Sequence, residues 1–409
     1  MPSSPDLVSL AEALRSRLPA DALSFDPDPR YAVDGLRPAF VVAPSAPEDV
    51  ATVLAIAQES GAAVVPFGAG TQMALGMPPE RYDLALDLRR LDRVIEYEPA
   101  DLTVTVEAGI RLDELQRRLG EHGQWLPLDL PHVTVGGLLA TNASGPARHA
   151  HGTARDLVIG MTVVLADGSL VKSGGRVVKN VAGYDMAKLH IGALGTLGVI
   201  VQASFKVAPL PQSNASVVLR GPLSNIMSID ARLRTLRLAG LGTALAKDAS
   251  SPDWRLIVGF AGGEAAVERS QRELAAIAPA AVAESAWRTL GRSLDASLLV
   301  RASVLTTATA SVCEALASLR ANVLAYPSVG VVYGAWADAG AVTPEALIDL
   351  RRRCVAAGGA LVLERAAADL KRHVDVWGAP RADFSLMLRL KEELDPRRVL
   401  NPGRYLGGL

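Results

Sequence analysis

Between residues 64 and 200 the chain runs three times from β-branched sequence into a stretch dense in glycine and small residues, and no other feature limits its fold so tightly. The first, VVPFGAGTQMALG at 64 to 76, delivers a buried-type strand into Gly68, Ala69, Gly70 and Thr71. Small residues let backbone N–H groups turn inward as a nest, the arrangement a pyrophosphate needs, although a plain surface turn has the same composition. A Rossmann loop is excluded, because its third glycine would fall at Met73 and Pro78 and Pro79 stand where a phosphate-capping helix would begin. A Walker loop is excluded by the lack of a Gly-Lys-Ser/Thr ending.

The second stretch, 134 to 160, spaces Gly136, Gly137, Gly145 and Gly152 too widely for one turn but suitably for a chain that lines one side of an elongated ligand. Thr141, Asn142, Ser144 and Thr153 supply short hydrogen-bonding side chains among them. The third, 174 to 200, leads from a cation-bearing turn with Arg176 and Lys179 to another glycine-framed strand start. Singly each reads as a turn; together they predict a ligand-holding core.

Composition narrows the ligand. With 409 residues, 49% apolar and 21% charged, and a net charge of -1, the chain suits two or three globular domains and argues against disorder and general nucleic-acid affinity. Only Phe 6, Tyr 7 and Trp 5 are present, too few for base-stacking platforms. Cys313 and Cys354 are the only cysteines and form no CxxC pair, so no disulfide framework, zinc ribbon or iron–sulfur cluster is expected within the chain. The first residues lack a signal-peptide pattern and no run of about 18 apolar residues occurs, which predicts a cytoplasmic protein without membrane spans. Asn142 and Asn214 each open an Asn-Ala-Ser triplet and read as ordinary loop residues.

The periodicities predict mixed α+β structure without regular βαβ winding. Leu7, Leu10, Leu14 and Leu18 mark a helix before a Pro/Asp-rich loop; a strand from Phe40, a helix opened by Pro47 and closed by Gly61, and the strand into the first glycine loop follow. Short strands then precede a helix, LDELQRRLGEHG, ended by Gly123, and ADGS at 166 to 169 reads as a hairpin turn. From about 213, strands alternate with helical stretches at 264 to 277 and 344 to 357, as in an antiparallel sheet covered by helices. The tail has helical spacing through Leu390 and Leu394. The expected divisions are an N-terminal helix and loop at 1–35, a ligand domain at 36–211 with lobes at about 36–123 and 124–211, a smaller domain at 212–380, and a returning segment at 381–409.

These motifs resemble the vanillyl-alcohol-oxidase or PCMH-type family of FAD-binding proteins. More closely, GGLLATNASGP, GTARDLVIGMTVVLADGS, GGRVVKNVAGYDMAKLHIGALGTLGVI, LKRHVDVWG and LDPRRVLNPGRYLGG are similar to the FAD-binding subunit of bacterial glycolate oxidases. The resemblance covers most of 40 to 211 and both motifs near the end. It implies a two-lobed FAD domain followed by an antiparallel-sheet cap, and non-covalent FAD. The pyrophosphate would lie at Phe67, Gly68, Ala69, Gly70, Thr71 and Gln72, the flavin and ribityl region along Leu128, Asp129 and Gly136 to Gly145, and the adenine side near Val199. Gly76, Thr134, Gly152, Thr153 and Gly198 complete the expected FAD residues.

Three departures matter. Leu194 stands where related flavoproteins often carry a glutamate, Ala147 replaces an arginine of the more basic Gly-Pro-Arg-Arg turn, and no histidine sits in the first glycine loop to link a flavin. His149 and His151 read as structural histidines rather than flavin links. The larger catalytic relatives carry a histidine-rich metal motif, whereas His373 is the only histidine after residue 190, so no metal site is expected.

The resemblance implies oxidation of a 2-hydroxy acid such as glycolate to glyoxylate. It also implies that electrons pass to partner chains, a second FAD subunit and an iron–sulfur subunit, in the cytoplasm or peripherally at the inner membrane. A substrate carboxylate needs a cation and its hydroxyl a base. Arg148, Arg365 and Arg404 are candidates for the first; Lys179, Asn180, Tyr184 and Asp185 form the polar edge of the most specific motif; Trp377 reads as a packed anchor; no base is evident. The alternatives are a non-catalytic, FAD-holding or structural subunit of the same assembly and, more distantly, a flavin reductase acting on nucleotide-sugar enoyl ethers.

Overall fold

Pro47 at the first helical position, Glu48 and Asp49 in the first turn and Gly61 at φ +73° beyond the last bound a helix at Pro47–Ser60. Its inward stripe, Val50, Val53, Leu54 and Ala57, is fully buried, each larger side chain contributing about 1.5–3 kcal/mol by leaving water. This helix joins strands Phe40–Val42 and Val64–Phe67, and both run parallel to Leu84–Asp87 between them. This parallel pairing stays local and does not extend into regular βαβ winding. Leu23–Ser24 completes this sheet antiparallel at its edge.

The computed structural model describes residues 5–175, 184–236, 238–278, 281–282, 286–287 and 289–409. The chain forms two compact units: Met1–Ser144, Thr153–Pro209 and Ala379–Leu409 make the first, Gly145–Gly152 and Leu210–Gly378 the second. The eight-residue stretch Gly145–Gly152 thus leaves the unit to which the sequence assigned it.

A second sheet of the first unit is antiparallel throughout, in the order Val94–Glu98, Thr103–Glu107, Val199–Lys206, Val158–Val164, Leu170–Gly174. Gly168 at φ +85° makes its 165–169 turn. The helix Leu112–Gly120 buries Leu112, Leu115 and Leu119 and stops before the predicted Gly123, which lies in the following turn at φ +66°. The helix Phe384–Leu394 departs further from expectation, because its buried residue is Lys391 rather than Leu390 or Leu394. Lys391 Nζ donates to Asp395 Oδ2 (2.6 Å), Thr196 O (2.8 Å) and Leu400 O (3.0 Å), while Asp395 accepts from Val399 N and Leu400 N. Every donor of the ammonium is used, which is what makes a buried charge tolerable.

In the second unit the described residues include eight strands in one antiparallel sheet, ordered Ala281–Val282, Ser213–Gly221, Trp254–Gly262, Gly240–Lys247, Asn322–Tyr326, Val331–Trp336, Leu298–Ser303, Ala360–Arg365. Leu223–Leu233, Glu264–Ala275, Thr309–Ser318 and Pro344–Ala356 are its main helices, each with apolar residues buried. Trp287 lies over Gly259, where a Cβ would come within 2.5 Å of the indole. Among the described residues no helix is long and apolar enough to cross a membrane.

Candidate functional site

The first unit encloses a cavity of about 780 Å3, counting its mouth. One wall is the turn that follows Val64–Phe67, the next the start of the helix Val135–Thr141, and the rest come from Leu88, Ala108, Leu194, Gly195, Val199, Ile200, Asn401 and Arg404. Glycine brings the first two together. A Cβ on Gly68 would lie 2.2 Å from Thr134 Oγ1, and one on Gly136 would lie 2.9 Å from Ala108 Cβ. A Cβ on Gly137 would meet only Thr134 Oγ1, at 3.1 Å, so that glycine otherwise faces open space. Thr134 caps the helix by accepting from Gly137 N, and Thr141 Oγ1 donates to Gly137 O at 2.8 Å.

The turn is held from a distance. Arg404 is 2% exposed; its Nη2 donates to the carbonyls of Met73 (2.6 Å) and Leu75 (2.5 Å) and its Nε to that of Met77 (3.3 Å). Burial lowers its pKa to about 10, which leaves it protonated at neutral pH. Leu194 adopts φ +52°, donating its N–H to Ala140 O and accepting Asn401 Nδ2 at 2.6 Å. Leu88 is fixed by its neighbour: Asp87, buried, accepts from Tyr31 Oη (2.7 Å) and from Arg89. The hydrogen bonds from Arg89 and Tyr31 outweigh burial and keep the Asp87 carboxyl below its usual range.

Of the residues expected at FAD, Phe67, Gly68, Ala69, Gly70, Thr71, Gln72, Thr134, Gly136, Gly137, Thr141 and Val199 line this cavity. Gly76, Leu128, Asp129, Asn142, Ser144 and Gly198 belong to the same unit but not to the lining. Gly76 instead admits the Arg404 carbonyl, 2.9 Å from where a Cβ would be, and Leu128 sits in an apolar core. Gly145 and Gly152 lie in the second unit, and Thr153 caps a helix, pairing through Oγ1 and N with Asp156 Oδ2.

The candidates for chemistry disperse. Arg404 is spent on the turn, and Arg365 donates to Ala296 O at 2.8 Å. Arg148 lies in the second unit, close enough to Tyr333 to act on its phenol electrostatically. Tyr184 is 93% exposed, Asp185 pairs with Lys188, and Arg176, Lys179 and Asn180 lie outside the described residues. His149 Nδ1 is 2.8 Å from Ser328 Oγ, and burial lowers the pKa of His151. Trp377 N donates to Asp375 Oδ1. Leu88, Ala108, Val133, Ile200 and Asn401 join the lining without having been singled out in the sequence. An Asn-Pro-Gly run, apt for the left-handed backbone that Asn401 adopts at φ +48°, was the one available signal.

Comparison with known proteins agrees with the expected cofactor. Residues 38–174 match a family described as FAD binding domain. The chain is 25% identical to glycolate oxidase subunit GlcD of Bacillus subtilis, over 93% of this chain and 91% of that protein. It is 36% identical to the mitochondrial D-lactate dehydrogenase [cytochrome] of Arabidopsis thaliana, over 45% of this chain and 33% of the relative, so it spans only about a third of that protein's length. Its fold is similar to that of p-cresol methylhydroxylase with substrate bound, with a TM-score of 0.76 at 16% identity, covering 97% and 96% of the two chains.

Proposed function

From a chain that carries an FAD binding domain over residues 38–174, we propose an FAD-dependent subunit that oxidises a short 2-hydroxy acid, glycolate or a close homologue, and passes the electrons to partner chains. The observation that carries this reading is the glycine-walled cavity of the first unit, most of whose lining falls inside the matched domain. The residues fit a dinucleotide: Gly68 and Gly136 let two backbones approach where a side chain would collide, and Gly137 leaves the space before it clear. FAD, when bound, supplies the ring that accepts a hydride. In this reading the 67–72 turn offers backbone amides to the pyrophosphate, and Arg404 keeps that turn in shape through the three carbonyls it holds.

For the substrate carboxylate this reading needs a cation, and the one in the described lining, Arg404, is taken up by the carbonyls of the turn. Partner chains belong to this reading because Cys313 and Cys354 are both buried, with burial pushing their thiols up to about 12 and about 11, and offer no set of thiolates for an iron–sulfur cluster of the chain's own. A second reading, an FAD-holding subunit without its own substrate chemistry, draws on the lining itself, which among the described residues contains no carboxylate and no histidine to take a hydroxyl proton.

Heat release and identification of the bound chromophore, then anaerobic mixing with glycolate or D-lactate, test both. Bleaching of the isolated chain's visible absorption supports the enzyme; bleaching only after a copurifying partner is added supports the holding subunit. A protein that binds no FAD overturns both.

A further inference from the structure

Among the described residues that line the cavity, one carries a buried side-chain polar atom without a partner. Among the described lining residues, Asn401 has a buried side-chain oxygen, Oδ1, to which nothing in the protein donates, in a residue only 3% exposed. The lining's other buried polar groups are committed: Thr141 Oγ1 donates to Gly137 O, Thr134 Oγ1 accepts from Gly137 N, and Arg404 holds carbonyls of the turn.

The orientation of the amide is fixed by chemistry. Its other end lies 2.6 Å from the Leu194 carbonyl, which only accepts, so that end is Nδ2 and the orphan atom is oxygen. The backbone is fixed as well, since Asn401 N donates to Val64 O at 2.8 Å and Leu400 bridges Val64. A buried amide oxygen held this firmly is costly unless a donor arrives.

We infer that Asn401 Oδ1 is a binding residue for the flavin dinucleotide, accepting a hydrogen bond from an N–H or O–H at one of its two nucleotide ends. The inference rests on FAD occupying this cavity. A pyrophosphate at neutral pH offers only acceptors, so it is not the group that Asn401 meets. Donors exist at the flavin ring and ribityl chain on one side and at the adenine and ribose on the other. The same side chain therefore ties Leu194 to the cofactor, one hydrogen bond in each direction.

The test titrates apoprotein, wild type and Asn401→Gly, with FAD, FMN and ADP. Glycine accepts φ +48° without strain, so the variant removes the amide and spares the backbone. FAD affinity should fall about tenfold, and the loss should reappear with FMN or with ADP but not with both, naming the end that donates. An unchanged FAD affinity would assign Oδ1 to a buried water and overturn the inference. Equal losses for both halves would also overturn it, because a cavity merely loosened by the lost Leu194 contact has no reason to discriminate. If Asn401→Gly does not fold, Asn401→Ser is titrated and judged in the same way. Failure of the wild-type protein to bind FAD sinks the underlying function instead, and the two failures are distinct.

Discussion

Gly137 and Gly259 are both glycines on a wall, but the space before them meets different fates. In the first unit, Gly137 has only Thr134 Oγ1 within reach of an added Cβ, and the room beyond remains cavity. In the second, Gly259 lies under the indole of Trp287, which fills its space with protein. The difference teaches that glycine density reports room, and that a large side chain at hand decides whether the room becomes core or site.

Gly137→Arg should break the comparison most severely. A guanidinium in the cavity mouth should leave a folded, colourless protein with FAD affinity down by more than about a hundredfold; a yellow variant with intact affinity would move the cofactor elsewhere. Lys391→Met comes next. It strands Asp395 in a site with essentially no exposure, and loss of one partner of a buried pair costs about 3–5 kcal/mol, read as a fall in the denaturation midpoint of the first unit.

Acid should act on the first unit by a smaller amount. His190 is 8% exposed with no partner for Nδ1, and burial lowers its pKa from 6.5 to about 4. Because its folded pKa is depressed, the stabilisation is complete above about pH 6.5 and is lost as pH falls through about 4, by up to about 3 kcal/mol. His190→Gln should flatten that slope in an unfolding-versus-pH series; an unchanged slope would place the acid-sensitive group elsewhere. Gly259→Ala is expected to cost about 1–3 kcal/mol by crowding Trp287 while leaving FAD affinity untouched, so a change in affinity would mean that the two glycines are not independent.

Local sequence carried what local chemistry decides. The run from Phe67 to Gln72, with Gly136 and Gly137, was legible because close backbone approach demands small residues, and the hairpin about Gly168 because turn chemistry is confined to a few adjacent positions. What could not be read depends on distant chain. Arg404 looked like a free cation in sequence, yet it is consumed by carbonyls more than three hundred residues upstream. Lys391 broke the apolar pattern of its helix because Thr196 and Leu400 bring it acceptors from outside that helix. Gly145 and Gly152 were recognisable as glycines, but composition does not say to which unit a turn belongs.

The ties made by Asn401 and Arg404 also set an order of events during synthesis. Leu194 and Met73 leave the ribosome 207 and 331 residues before their respective partners, with residues 210–378 of the second unit made in between. A nascent chain can therefore present the glycine turn early but not its brace. Cofactor capture should be a late step, and ribosome-arrested chains that stop short of residue 401 should remain unable to retain flavin however well their earlier segments have folded.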